Sequence, residues 1–165
     1  VDPIENILNI SLKCPKPLLR VVLMNSEAKG EFESVLVEDG DLFDPTYETL
    51  LVGEKKIRST LPTLAINKES LTDINRAEIS RIIMALGSSN FDKIGEVIYD
   101  KDNALTIILS HNRKPVSVFM GKGNYHRKAR KLSRLLSYVE ENNKQPTVIN
   151  LVNLKKVVVK FAHKK

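Results

Sequence analysis

The chain has 165 residues, 42% of them hydrophobic and 28% charged, with seven glycines and seven prolines. That length and apolar content suit one domain, or a domain plus part of another, and exclude a disordered or low-complexity chain. A formal net charge of +6 and a pI near 9.4 favour acidic partners or surfaces without bearing on fold.

The single cysteine, Cys14, excludes an internal disulfide. Its proline-rich surroundings hold no histidine, so it reads as a buried or incidental thiol. No run of about eighteen apolar residues is present to span a membrane. The chain opens on Val1 rather than methionine, which points to a processed or excised portion whose signal or anchor lies outside it.

In chain order, two prolines precede the β-branched run Leu18 to Met24, which predicts a strand with a stiffened approach. In "ESVLVEDGDLFD", Val35 and Val37 alternate against Leu36, and Asp39-Gly40 supplies the left-handed turn of a hairpin. Residues 45–69 are mixed, with "LVGEKKI" and "STLPTLAI" as short strand or loop pieces. A helix follows: Ile79, Ile82, Ile83 and Leu86 keep the i, i+3, i+4, i+7 spacing of one apolar stripe. Asn75 and Glu78 have the spacing of a capping box, and Gly87 suits the left-handed position after the helix.

"KIGEVIYD", "ALTIILS" and "KPVSVFMG" are strand-like runs separated by breaks short enough for hairpins, so they are expected to be antiparallel neighbours. A basic helix is predicted from about Tyr125 to Glu141, then two strands, "TVINLV" and "KKVVVKFAH", joined at Asn153-Leu154. Strands and helices do not alternate one by one. The fold class expected is therefore α+β, an antiparallel or mixed β-sheet with two main helices.

Enzymatic chemistry is hard to find. His111, His126 and His163 are scattered, and none has a neighbour at zinc-ligand spacing. "GKG" at Gly121 to Gly123 lacks the spacing of a phosphate loop and reads as a strand-to-helix turn. Glu38, Asp39, Asp41 and Asp44 match a calcium loop only in part, and a hairpin turn explains them. No catalytic residue, cofactor or metal is expected.

On the basic helix, Leu132, Leu135, Leu136 and Val139 share one face with Ala129 on its flank. Arg127, Arg130, Lys131 and Arg134 gather opposite, either as a solvated back face or as a docking surface. The cations sit in its first half and Glu140 and Glu141 near its end, against the helix macrodipole. That placement favours a basic patch kept for an acidic partner or an anionic surface. In the last strand, Val157, Val159 and Phe161 point one way and Lys156, Val158 and Lys160 the other. If this strand ends the sheet, its unpaired backbone can accept a strand from another protein; alternatively, its lysines are gatekeepers against such pairing.

The ordered set of elements resembles the extracytoplasmic β domain of the FtsQ/DivIB bacterial cell-division proteins. In the C-terminal third, a strand closes on Gly121, a leucine-rich helix with a basic start runs near Lys128 to Val139, and "NLVNL" (Asn150 to Leu154) stands where that family has a "DLR"-like tripeptide. A valine-rich final strand follows. Upstream, "SVLVEDGDLFD" is similar to the opening of the same domain, "TLPTL" (Thr60 to Leu64) to its "LP" turn, and "PLLRVVLMNSEAKG" to the tail of the preceding POTRA domain. Asn150 and Asn153 depart from the acidic and arginine positions, and a complete POTRA domain does not fit before residue 30.

The resemblance implies a division into residues 1–30, a POTRA-like tail or linker, and residues 31–165, the β domain. It implies a non-enzymatic divisome scaffold on the cytoplasmic membrane, single-pass, anchored by an N-terminal transmembrane helix absent from this chain, with this portion extracytoplasmic. FtsB/DivIC-like and FtsL-like coiled-coil division proteins are the partners it implies, in regulating septal peptidoglycan synthesis. Strand addition beside the last strand would place the partner on Tyr138, Val139, Lys156, Val157, Val158, Val159, Lys160 and Phe161. From charge alone, Arg130, Lys131 and Arg134 form a basic docking face next to it. The competing reading is a nucleic-acid-binding module using the helix 125–141; the few aromatics argue against a stacking platform, and nucleic acid is not the expected partner.

Overall fold

A computed structural model describes residues 14–24, 33–44 and 61–162. Among these residues, nine strands form one sheet in the order β3-β2-β1-β4-β5-β6-β7-β8-β9. They are β1 (Pro17–Met24), β2 (Glu33–Val37), β3 (Leu42–Phe43), β4 (Thr63–Asn67), β5 (Ile94–Tyr99), β6 (Leu105–His111), β7 (Lys114–Gly121), β8 (Pro146–Asn150) and β9 (Val158–Phe161). Three α-helices accompany them among the described residues: α1 (Asp73–Ala85), the short α2 (Ser88–Phe91) and α3 (Tyr125–Glu141). The chain is thus α+β with a mixed sheet. Strand β1 lies inside it, between β2 and β4.

Adjacent residues across the strands explain why the helices cover one face. Val21, Leu64, Val97, Ile107, Val118 and Ile149 are successive cross-strand partners, and each is fully buried. Against them pack Ile79, Ile82, Ile83 and Leu86 from α1 and its C-terminal end, and Ala129, Leu132 and Leu136 of α3. The next row out, Val22, Ala65, Ile98, Thr106, Phe119 and Asn150, points to the other face and is half-buried or exposed. Period-2 alternation in the strands and period-3.6 stripes in the helices meet in one core.

The three central runs, β5, β6 and β7, pair antiparallel as the short breaks predicted. The sheet is not antiparallel throughout: β1 and β4, β4 and β5, and β7 and β8 are parallel. Between β4 and β5 the chain crosses through α1 and α2, and between β7 and β8 it crosses through α3. Each crossover carries it over the covered face, so the next strand starts in the same direction.

Two local details differ from the sequence reading. The cap of α1 is Thr72, whose hydroxyl accepts the Asn75 N–H at 3.3 Å. Asn75 is inside the helix, where its side chain donates to the Ser70 carbonyl (2.7 Å) and accepts from the Tyr99 hydroxyl (3.3 Å). The last strand begins at Val158, so Lys156 and Val157 belong to the connection before it. There the Lys156 N–H bonds the Asn153 carbonyl (3.2 Å), folding the segment into a turn rather than extending it. "LVGEKKI" lies outside the described residues.

The β2–β3 hairpin turns where Asp39-Gly40 predicted, with Gly40 at φ +91°. This turn sits on α1: the Gly40 carbonyl accepts from Arg76 Nε (3.0 Å), and the Glu38 carbonyl accepts from the Ser80 hydroxyl. A Cβ at residue 40 would stand 2.8 Å from the Ala77 Cα. Left-handed backbone and helix contact both exclude a side chain here. Gly40→Ala should therefore lower stability by about 1–3 kcal/mol in urea titration, the usual cost of overpacking. An unchanged midpoint would contradict the close approach.

Candidate docking surface at α3 and the sheet edge

The turn into α3 is built from left-handed backbone at Gly121 (φ +60°), Gly123 (φ +62°) and Asn124 (φ +52°). A turn with three left-handed residues leaves carbonyls facing inward, and Lys128 answers them. Its ammonium donates to the Met120 carbonyl (2.6 Å) and the Lys122 carbonyl (2.8 Å), and it lies 5.7 Å from the centre of the Tyr125 ring. Lys128 is 2% exposed, and burial holds its pKa below the usual lysine value. The "GKG" stretch is a strand-to-helix turn held by a lysine from the helix it starts.

Beyond the turn, Arg127, Arg130 and Arg134 are exposed on α3. Lys131, grouped with them by spacing, is half-buried, and its ammonium donates to the Leu154 carbonyl at 2.8 Å. It fastens the β8–β9 connection to the helix. A hollow of about 490 Å³ opens between the two, lined by Arg127, Arg130, Lys131, Arg134, Leu135 and Leu154. Leu135 is therefore only half-buried, whereas Leu132 and Leu136 are fully in the core. No acidic residue occupies the first turn of α3, and Asn124 makes no side-chain cap. The acid at the far end has a local reason in one case: Glu140 pairs with Lys93 at 3.1 Å.

At the sheet edge, β9 is the terminal strand and pairs only with β8 among the described residues. The Ala162 N–H returns to the Gln145 carbonyl (3.0 Å), and the Lys160 carbonyl accepts from the Thr147 hydroxyl (3.3 Å). Even-numbered backbone groups thus face β8, and by strand alternation the N–H groups of Val159 and Phe161 face outward. Val158 and Phe161 are 42% and 43% exposed. Lys160 is exposed too, while Val159 and Val157 pack partly against the core.

Tyr138, near the end of α3, is 49% exposed and stands beside the edge through Lys144. That ammonium is 5.0 Å from the Tyr138 ring centre, 3.2 Å from its hydroxyl and 5.8 Å from the Phe161 ring centre. Of the residues singled out by sequence, the structure brings together Tyr138, Val158, Val159, Lys160 and Phe161. It sets Lys156 and Val157 before the strand. Val139 is 1% exposed and offers no surface, because its helical spacing from Leu132 and Leu136 places it on the buried stripe. Sequence reasoning missed Lys128, although it lies four residues before Leu132 on that same stripe. It also missed Lys144, for which spacing carries no signal.

The described residues hold no group of three or more His, Cys, Asp or Glu placed to share a metal. His111 is buried, His126 is exposed and His163 lies outside the described residues. Cys14 is exposed. No helix among the described residues is long and apolar enough to cross a membrane. No protein-family model and no curated protein matches the chain.

Two tyrosines beneath the start of α3 give the region a pH signature. Burial pushes the Tyr125 hydroxyl up to about 12, aided by neighbouring Tyr99, and burial also raises Tyr99. Tyr125 donates to the Asn103 carbonyl at 2.9 Å, a bond that ionisation would abolish. An unfolded tyrosine ionises near 10, so the unfolded chain loses these protons first, and stability falls as pH rises from about 10 towards 12. Tyr125→Phe should flatten that fall in pH-dependent denaturation; an identical slope would contradict the burial.

Proposed function

We propose that this chain is a non-enzymatic scaffold of the bacterial division machinery, of the FtsQ/DivIB type, that binds its partners by strand addition to β9. Its fold in this reading is the β domain of that family. The protein is membrane-anchored and single-pass, this portion lies outside the cytoplasmic membrane, and the partners are FtsB/DivIC-like and FtsL-like coiled-coil proteins whose recruitment helps regulate septal peptidoglycan synthesis. The observation that carries the reading is the outer edge of β9, which has no further strand beside it among the described residues, at the end of their nine-stranded sheet.

Three features support it. The outward N–H groups of Val159 and Phe161 are donors for an incoming strand, and main-chain hydrogen bonds of this kind supply affinity without a prior pocket. The exposed side chains of Val158, Phe161 and Tyr138 add apolar and aromatic surface where such a strand would lie. The arginines of α3 add positive charge close to the edge, which accelerates encounter with acidic segments. Lysine at 160 does not block the edge alone, since the same strand leaves valine and phenylalanine exposed beside it.

The test is binding of the partner pair from the same cell to Val159→Pro. Proline removes an outward donor and leaves the even-numbered bonds to β8 in place. Binding should weaken at least about ten-fold, the equivalent of one lost charge-free hydrogen bond plus edge distortion, while the circular dichroism spectrum is retained. Tyr138→Ala, on the helix, should weaken it without touching the strand. A folded Val159→Pro protein that binds as well as the parent removes the strand-addition reading.

A further inference from the structure

The hollow along α3 continues past the β7–α3 turn. Its second part, about 560 Å³, includes Lys122, Arg127, Val152, Leu154 and Lys155 in its lining. Arg127 and Leu154 line both parts, which therefore form one trough. No carboxylate lines it among the described residues, and there the side-chain cations of Lys122, Arg127, Arg130, Arg134 and Lys155 make no hydrogen bond or ion pair. Two further lysines act differently: Lys128 fixes the turn to α3, and Lys131 fixes the connection to α3. The walls are thus held by bonds while the cations facing the space are unpaired. Walls held in this way spare a ligand the cost of ordering the backbone, leaving only the ordering of the exposed side chains.

We propose that this trough is a docking site for an acidic amphipathic helix of a partner protein. Arg127, Arg130 and Arg134 stand about 4.5 and 6 Å apart along the α3 axis, the advance of three and four residues at 1.5 Å each. Carboxylates at the same three- and four-residue spacing on a second helix match that ladder. Leu135, Leu154 and the exposed Val152 give aliphatic surface for its apolar side. A single-stranded nucleic acid would need aromatic side chains on which to stack its bases, and none lines the trough among the described residues. A flat membrane surface would leave the aliphatic lining of a concave trough unfilled. Carboxylates arriving here also relieve repulsion among the arginines and suit the N-terminal half of α3, where positive charge opposes the macrodipole. The site uses α3 and the β8–β9 connection, not the backbone of β9, and stands independently of strand addition.

The probe is a synthetic helix of about four turns, with glutamates at i, i+3 and i+7 and leucines alongside, measured by fluorescence anisotropy. Its control is a scrambled peptide of the same composition. The patterned helix should bind about ten-fold tighter than the scramble, and the double variant Arg127→Glu, Arg130→Glu should weaken it at least about ten-fold, as charge reversal at a docking surface does. Val159→Pro should leave this affinity unchanged, which separates the trough from the edge strand. Both arginines are exposed, so the variant should fold, and its thermal melt is to be compared with that of the parent. Equal binding of the scramble overturns the proposal, as does binding that survives charge reversal. Tighter Arg127-dependent binding of duplex DNA or of phosphatidylglycerol vesicles overturns it by assigning the trough to another polyanion.

Discussion

A buried ammonium fixes the part of this molecule on which its surface depends. Lys128 gives up water and finds no carboxylate in exchange; its two carbonyl partners belong to the turn that launches its own helix. A buried charge is tolerable only when hydrogen-bonded, so the turn and the lysine require each other. From that join, α3 crosses back over the sheet to set β8 parallel to β7, and β8 in turn carries β9. Displacing the start of α3 would move the arginine ladder, the β8–β9 connection and the sheet edge together.

The basic helix also shows which energies decide. Cations in its first half cost roughly 0.3–1 kcal/mol against the macrodipole for a charge in a terminal turn. Burying a leucine contributes about 1.5–3 kcal/mol, and α3 buries Leu132, Leu136 and Val139 on one stripe. Tertiary packing therefore outweighs the unfavourable charge, and the arginines are free to be placed for another purpose. The Lys93–Glu140 pair, half open to solvent, adds little.

Much of this was legible in the sequence because it is local. Hairpins announce themselves through short polar breaks, the Asp39-Gly40 turn through its glycine, and α3 through its leucine spacing. Parallel pairing was not legible, since β4 meets β5 and β7 meets β8 only after a helical crossover has been folded. Thr72 rather than Asn75 caps α1, and the Asn75 side chain, already inside the helix, is engaged by the Ser70 carbonyl and by Tyr99, distant in sequence. At the candidate site, alternation separates half-buried Val159 from exposed Val158 and Lys160, but not the exposure of Phe161, which shares Val159's side and lies at the end of the strand. Val139 was assigned to the surface through resemblance, although its own spacing places it in the core. Lys144 becomes a bridge between Tyr138 and Phe161 only because the topology ends α3 beside β9.

Amide hydrogen exchange tests the central claim most directly, because it reads the edge of β9 one N–H at a time. In the free protein, the Val159 and Phe161 amides should exchange quickly while the inward Lys160 amide is slow. Adding the partner should slow Val159 and Phe161 by at least about ten-fold, as each acquires a hydrogen bond. Protection that appears elsewhere, with these two amides unchanged, would contradict strand addition at this edge.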